Sequence, residues 1–444
     1  MKFPVLLLTV IAWLPFIGLA QDSTLTAQED FPDSALRVSS VVIGGNELTK
    51  DFIIEREMSL KVGSLVTHEA VAYDINRIYS LELFNKVDIH VVPDSTTATL
   101  IVYVSERWYF YPFPIAGFKD HEWTHFYYGA GVVHTNFRGR NELVNTQFAL
   151  GYDPYVSLQY VDHSFDPDDN LYLSTKASYS IQKNLSLVSL DSGPNFDEKL
   201  IDGQVAFGKR FSLYTTATIT IEYTNLSVSD NRAGRTLSPT GTDNFFSLHA
   251  DYVYDTRDLG EYSRLGTLTT FDISKYGVGN HYVDYQRYTA DVRRYIPVYY
   301  NSSFAFRLFG SMVQGGDDPN YGHVFFGYGE RIRGRFQTIV EGDDILGAKA
   351  ELRIPVISPA YLRVDEIPIE QFRDIRYALY FTIFGDAGTV WYRNQPVAVD
   401  NFLSGFGAGL NLLFSYSFVG RVEYAFGGPG FHNGQVILDL GASL

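Results

Sequence analysis

The chain of 444 residues carries 51 Asp and Glu against 35 Lys and Arg, a formal charge of −16, with 32 Tyr, 33 Phe and no Cys. That acidic balance excludes a nucleic-acid surface, which needs clustered cations. The missing thiols exclude disulfides, cysteine-ligated zinc, iron–sulfur clusters and thiol nucleophiles.

Lys2 precedes an apolar run from Phe3 to Leu19, and Gly18 and Ala20 supply small residues ahead of Gln21. Residues 1–20 read as a secretory signal peptide, and the polar, acidic residues 21–35 as a flexible lead-in. Nothing later approaches the ~18 consecutive apolar residues of a spanning helix. The mature chain is expected to be either soluble outside the cytoplasm or inserted in a membrane as a β-barrel.

Residues 36–107 mix strand and helix periods. Val38, Val41 and Ile43 lead into a Gly44-Gly45-Asn46 turn, and Phe52, Ile53, Ile54 and Met58 follow at helical spacing. Thr67 is a fitting N-cap for a second helix, with Val71, Ile75, Ile78 and Tyr79 on its buried face. Two strands come next, carrying Val87, Ile89 and Val91, then Leu100, Val102 and Val104, on either side of Pro93-Asp94-Ser95. The order β-α-α-β-β predicts one small α+β domain.

From Trp108 to Leu444 the pattern is almost wholly strand. Between 211 and 224, Phe211, Leu213, Ala217, Ile219, Ile221 and Tyr223 fall on one side, with Thr216, Thr218, Thr220 and Glu222 on the other. One apolar and one polar face per strand fits lipid outside and a polar interior, although a soluble sandwich shares that period. Sixteen strands can be placed, the first near 124–135, the eleventh near 321–328 and the last near 435–443. Short links such as Phe137-Arg138-Gly139-Arg140 alternate with long ones at 183–199, 225–243 and 329–344. The predicted fold is therefore an all-β, antiparallel transmembrane barrel of about 16 strands over 108–444. Its even count removes edges that lipid could not hydrogen-bond.

Residues 36–107 resemble a POTRA domain through the Gly-Gly-Asn turn, Leu81-Glu82-Leu83-Phe84-Asn85-Lys86-Val87 and the closing Val104-Ser105-Glu106. The barrel region resembles the BamA/TamA superfamily of bacterial outer-membrane assembly and translocation proteins. Its most specific motif is Ile332-Arg333-Gly334-Arg335-Phe336. Asp255-Thr256-Arg257-Asp258, Glu351-Leu352-Arg353-Ile354-Pro355 and Phe384-Gly385-Asp386-Ala387-Gly388 accompany it in the family's order. The resemblance implies an outer-membrane barrel with its POTRA domain in the periplasm. Its expected partners are unfolded outer-membrane or secreted polypeptide clients, outer-membrane lipid and periplasmic or lipoprotein accessory subunits. It further implies insertion or translocation by POTRA capture and lateral opening of the barrel, without enzymatic chemistry, cofactor or metal. A dedicated polypeptide exporter and a passive pore are the competing readings.

Arg333 lies in a long loop between strands, where a guanidinium offers a planar donor fork that matches carboxylates and keeps its charge. Gly334 permits a tight turn. Glu351 and Asp386 sit on the next two strands, which can present both to one point. By resemblance, Arg333, Gly334 and Phe336 form a loop latch whose inner-wall partners are Glu351 and Asp386. Asp255, Arg257 and Asp258 are expected to form a local charge network inside the barrel.

Other motifs dissolve on inspection. His121-Glu122-Trp123-Thr124-His125 has the zinc-protease spacing, but that chemistry needs a helix; this stretch falls between Pro112/Pro114 and alternating strand residues. Gly405, Gly407 and Gly409 imitate a nucleotide loop inside a strand pattern, where close packing is the better reading. Asp317-Asp318 and Asp343-Asp344 read as solvated loop tips rather than a cation site.

Overall fold

The computed structural model describes residues 36–119, 123–260, 262–367, 373–393, 395–397, 401–414, 418–428, 430 and 434–440. The expected signal peptide and lead-in, and His121 and Glu122, lie outside them.

The small domain runs β1 (Arg37–Gly44), α1 (Asp51–Glu55), α2 (His68–Tyr79), β2 (Phe84–Asp94) and β3 (Thr97–Glu106). Thr67 caps α2 by accepting a hydrogen bond from the Ala70 N–H. The sheet order is β1-β3-β2, with β1 parallel and β2 antiparallel to the central strand. Alternate sheet residues Leu100, Val102 and Val104 meet Ile53, Ile54, Val71 and Ile78 of the helices in a fully buried core. Beneath it, Asp74 receives the N–H groups of Ser59 and Leu60 at 2.7 and 3.0 Å, so its buried carboxylate is satisfied.

The wall follows as β4 (Phe110–Phe118), β5 (Phe126–Phe137), β6 (Glu142–Gly151), β7 (Tyr155–Asp166), β8 (Leu171–Lys183), β9 (Asp197–Arg210), β10 (Thr215–Val228) and β11 (Thr242–Asp255). It continues with β12 (Gly266–Tyr276), β13 (Tyr285–Pro297) and β14 (Ser303–Gly315). A loop hairpin of β15 (Val324–Phe326) and β16 (Val340–Gly342) interrupts it before β17 (Asp344–Arg363), β18 (Asp374–Trp391), β19 (Leu403–Phe414), β20 (Phe418–Gly427) and β21 (Gln435–Leu440). Apart from the β15–β16 hairpin, these form one 16-stranded antiparallel barrel sheet in which each strand pairs with its sequence neighbours. Ile219, Ile221, Phe246, Leu248, Phe271, Ile273, Leu308 and Leu410 lie exposed on the outer face, as lipid contact requires.

The count of sixteen matches the sequence expectation, but its membership differs at two places. The segment 110–118 is the first strand, ahead of the one expected near 124–135. Pro112 and Pro114 direct their missing donors to the same side, and β4 forms a ladder with β5 alone, so both prolines fit an edge. The stretch 321–328 is not a wall strand. It folds as a 3-10 turn and the three-residue β15, paired with β16. Its apolar side chains are spent inside the barrel, where Phe326 packs fully buried on Phe309, Ile345 and Val390.

The small domain covers one rim, here called the near rim. Lys50 donates its N–H to the Gly139 carbonyl in the β5–β6 turn (2.9 Å), and Arg56 reaches the His163 carbonyl on β7. Arg376 of β18 lies 4.5 Å over the Tyr79 ring, while Leu259 from the β11–β12 loop joins the small domain's core. The charged centre of this contact is Glu57, which accepts both arms of Arg210 at 2.6 and 2.9 Å and Arg77 at 3.0 Å, with Arg56 alongside. Burial pushes the Glu57 carboxyl up, but Arg210, Arg77 and Arg56 outweigh it and hold the group at about 2.

Because this pKa is depressed on docking, its contribution is present above the free carboxyl's ordinary titration near pH 4.5 and fades as pH falls toward 2. A double-resonance distance measurement between spin labels on Glu47→Cys and Asp168→Cys tests the contact. The expected result is one narrow distribution at pH 7, which broadens in Glu57→Gln and, in the parent, as pH drops through that window. An unchanged distribution in both would refute the docking role of Glu57.

Candidate functional site

Between β14 and β17 the chain leaves the far rim and returns into the lumen. The tip is a turn closed by the Arg335 N–H on the Ile332 carbonyl at 2.9 Å, with Gly334 at φ +84°. Only glycine fits there without strain, and a Cβ would also overlap the Phe426 backbone of β20. Ile332 is buried against Phe326, Ile345 and Val390, while Phe336 packs on Phe384, Ala425 and Ile437. Arg331 lies 4.1 Å over the Phe336 ring.

The turn delivers Arg333 to the inner wall. Its Nε and Nη2 donate to the two oxygens of Asp386 at 2.8 and 2.7 Å, and its backbone N–H adds a third bond at 3.1 Å. Nη1 donates to Glu351 at 2.8 Å and to Glu423 at 3.1 Å. The guanidinium also stacks 3.6 Å over the Phe384 ring. All four charged side chains are nearly inaccessible, the arginine at 7% and the carboxylates at 0%. Three strands thus converge on one cation, and the fork geometry explains why a lysine could not replace it.

The loop and wall also exchange charges of the opposite sense. Glu330, three residues before Arg333, accepts Arg307 of β14 at 2.7 and 3.2 Å and Lys349 of β17 at 3.3 Å. Reversed pairs set three residues apart fix the register of the loop on the wall. Close approach is needed as well: a Cβ on Gly405 of β19 would overlap the Arg333 carbonyl oxygen. Gly405 therefore serves as a seat for the tip, consistent with the close-packing expectation.

Glu351 has a second partner. Arg353, two residues along β17 on the same face, donates to it at 2.8 Å and to the Ser263 carbonyl at 3.0 Å. Its guanidinium lies 4.0 Å over Tyr262, whose hydroxyl accepts the Asn411 amide at 3.0 Å. Tyr262 and Ser263 belong to the β11–β12 loop, so a near-rim loop and a far-rim loop are linked through the Arg353–Glu351 pair.

The structure brings Arg333, Gly334, Phe336, Glu351 and Asp386 together. It separates the expected Asp255–Arg257–Asp258 network. Arg257 forks onto Asp255 at 3.0 and 2.9 Å, whereas Asp258 turns away to accept the backbone N–H groups of Arg264 and Leu265. Asp258 caps the loop that carries Tyr262, which is why it has no share in the Arg257 pair. Asp318, Asp343 and Asp344 are not solvated tips: the Asp318 side chain is 1% exposed, and Asp343 and Asp344 are buried at the loop root. Glu423 and Glu330 escaped sequence reasoning. Their only signal was inward placement in the strand alternation, or a charge three residues from the motif arginine.

Residues 136–435 match the family profile described as Omp85 superfamily domain, and residues 36–107 match the POTRA profile described as surface antigen variable number repeat. Among solved structures, BamA from Haemophilus ducreyi lacking POTRA domains 1–3 aligns at a TM-score of 0.52 and 16% identity, covering 91% of this chain and 83% of that one. CdiB from Escherichia coli aligns at 0.51 and 9% identity, covering 95% and 92%. At these identities the likeness is one of fold. No curated protein sequence matches the chain significantly.

Gly405→Ala tests the seat without removing a charge. The added methyl should expel the tip, lowering the temperature at which the folded barrel loses its fast mobility on SDS gels and exposing Ile332→Cys to a water-soluble maleimide. Parental heat resistance with no labelling would contradict the seat.

Proposed function

Because the chain belongs to the Omp85 superfamily, whose barrels handle polypeptides at the outer membrane, we propose that this protein inserts or translocates unfolded polypeptide clients there, with its POTRA domain in the periplasm. The near rim is then the periplasmic one and the far rim the cell surface. Outer-membrane lipid is the medium into which inserted clients pass, and accessory periplasmic subunits would dock on the POTRA face turned away from the barrel. The work is mechanical rather than covalent, since family members are transporters and insertases.

The observation that carries this reading is the seam. The first strand, β4, opens the barrel sheet with two prolines that cannot donate to a ladder. Among the described residues β4 pairs with β5 alone and β21 with β20 alone. A weak seam between first and last strands is where a client strand could pair in turn and move sideways into lipid, because its backbone groups are satisfied at each step. Capture begins at the POTRA domain, where β2 is an edge strand of the sheet, the position strand addition uses. Handover then requires the POTRA contacts at Glu57 to loosen. The loop of β11–β12 touches both the POTRA core and the Arg353–Glu351 pair, and it offers a physical link from client capture to the Arg333 latch.

A seam disulfide tests lateral opening directly, because the chain has no cysteine of its own. Ala116→Cys on β4 combined with Val436→Cys or Leu438→Cys on β21, all on the outer face, should block client insertion in proteoliposomes and release it on reduction. Full insertion by a verified cross-linked barrel would sink the mechanism. Depletion followed by a census of outer-membrane proteins separates the modes: a broad loss is expected for assembly and loss of one exported product for secretion. No loss at all would leave a pore.

A further inference from the structure

The root of the same loop, at the rim opposite the POTRA domain, carries a second built cluster that neither the latch nor the seam uses. Asp318 and His323 precede β15, and Asp343 follows β16, so the three close the base of the hairpin whose tip holds Arg333. One donor atom from each lies within 4.8 Å of the others. The His323 side chain is 6% exposed and that of Asp318 1%.

Each group is oriented from behind. Glu341 accepts from the Ser186 hydroxyl at 2.6 Å and from the N–H groups of Leu187 and Val188, so it is an ionised acceptor. It therefore accepts the hydrogen bond of His323 Nδ1, 2.6 Å away, which turns Nε2 toward Asp343. Arg287 holds Asp318 through Oδ2 at 3.0 Å. The Arg393 N–H holds Asp343, again through Oδ2, at 2.9 Å. The atoms left over are Asp318 Oδ1, His323 Nε2 and Asp343 Oδ1. Asp318 Oδ1 is buried and has no hydrogen-bond partner among the described residues. Gly322 leaves room for it, since a Cβ there would approach to 2.5 Å.

Nε2 and Asp343 Oδ1 are 3.4 Å apart. That is long for a hydrogen bond, yet close to the separation of two ligands sharing a tetrahedral ion at about 2.0–2.1 Å from each. A cation between them would meet both atoms and the orphaned carboxylate oxygen of Asp318 beside them. With two arginines against three carboxylates, the cluster has charge to spare for one.

From this geometry we propose that Asp318 Oδ1, His323 Nε2 and Asp343 Oδ1 bind one divalent transition-metal ion of the zinc class, with water in the fourth position. Calcium and magnesium fit less well, because they favour an all-oxygen shell. The carboxylate behind the imidazole is the usual support of a metal-bound histidine. A bound ion would join residues 318, 323 and 343, clamping the loop at its root while the arginine anchors its tip.

Zinc titration by calorimetry on the untagged, chelator-treated full chain in detergent tests this. We expect one equivalent bound with micromolar or tighter affinity, loss in His323→Ala, and a roughly 10- to 100-fold weakening in Glu341→Gln. Each variant is checked first for the heat-modifiable band of the folded barrel. If His323→Ala does not fold, Asp318→Asn serves in its place, and X-ray absorption on the zinc-loaded parent must report one imidazole in a nitrogen/oxygen shell. No binding by the parent at millimolar zinc, an affinity unchanged in the folded His323 or Asp318 variant, or a shell without imidazole would each overturn the proposal.

Discussion

A single guanidinium, sunk in the lumen and shared by carboxylates from three strands, is the constraint on which the rest of this structure depends. Buried ions are costly to desolvate, so a cluster of this kind persists only when every charge is met with good geometry. Arg333 fulfils that condition through five hydrogen bonds and an aromatic face. Withdrawing the arginine would leave Glu351, Asp386 and Glu423 facing one another in a poorly solvated space. The cost of breaking such a set, on the order of 3–5 kcal/mol, explains why the loop stays inside the barrel. It also sets the scale of whatever drives the loop out.

The same carboxylates connect the latch to the other end of the molecule. Glu351 is held from one side by the far-rim loop and from the other by Arg353, which rests on Tyr262 and Ser263. A few residues upstream, Leu259 enters the POTRA core and the Gly260 N–H donates to Ser80 at 3.0 Å. POTRA domain, near-rim loop, wall and far-rim loop are thus in unbroken contact. This continuity supports a coupling of POTRA movement to latch release. A cation at the loop root would add a clamp at the opposite end of the hairpin.

Much of this could be read from the residues because the periods are strong. Thr67 announced its helix, since a hydroxyl before an amphipathic run satisfies an N–H that nothing else can reach. Strand alternation distinguished inward from outward residues, and the motif arginine pointed to Glu351 and Asp386 on the two strands that follow it. Alternation, however, reports a face and not a neighbour. Glu423 lies two strands beyond Asp386, in the row of Gly409 and Thr382, and no single strand encodes its approach to Arg333. Gly405 looked like a packing glycine without revealing what it packs against. The aromatic run at 321–328 has the period of a wall strand but fills the lumen. Conversely, the strand 110–118 lay ahead of the first one placed from the sequence, and its seat at the sheet edge accounts for both prolines.

The claim that buried ionic contact, and not packing alone, holds the loop is tested most directly by a double-mutant cycle. Arg333→Ala, Asp386→Asn and their combination are compared with the parent in denaturant unfolding of the folded barrel. Each single change should destabilise the barrel, and the double should cost clearly less than their sum, with a coupling of about 1–3 kcal/mol. Effects that add to within about 0.5 kcal/mol would contradict the account, because two side chains that share no interaction behave in that way.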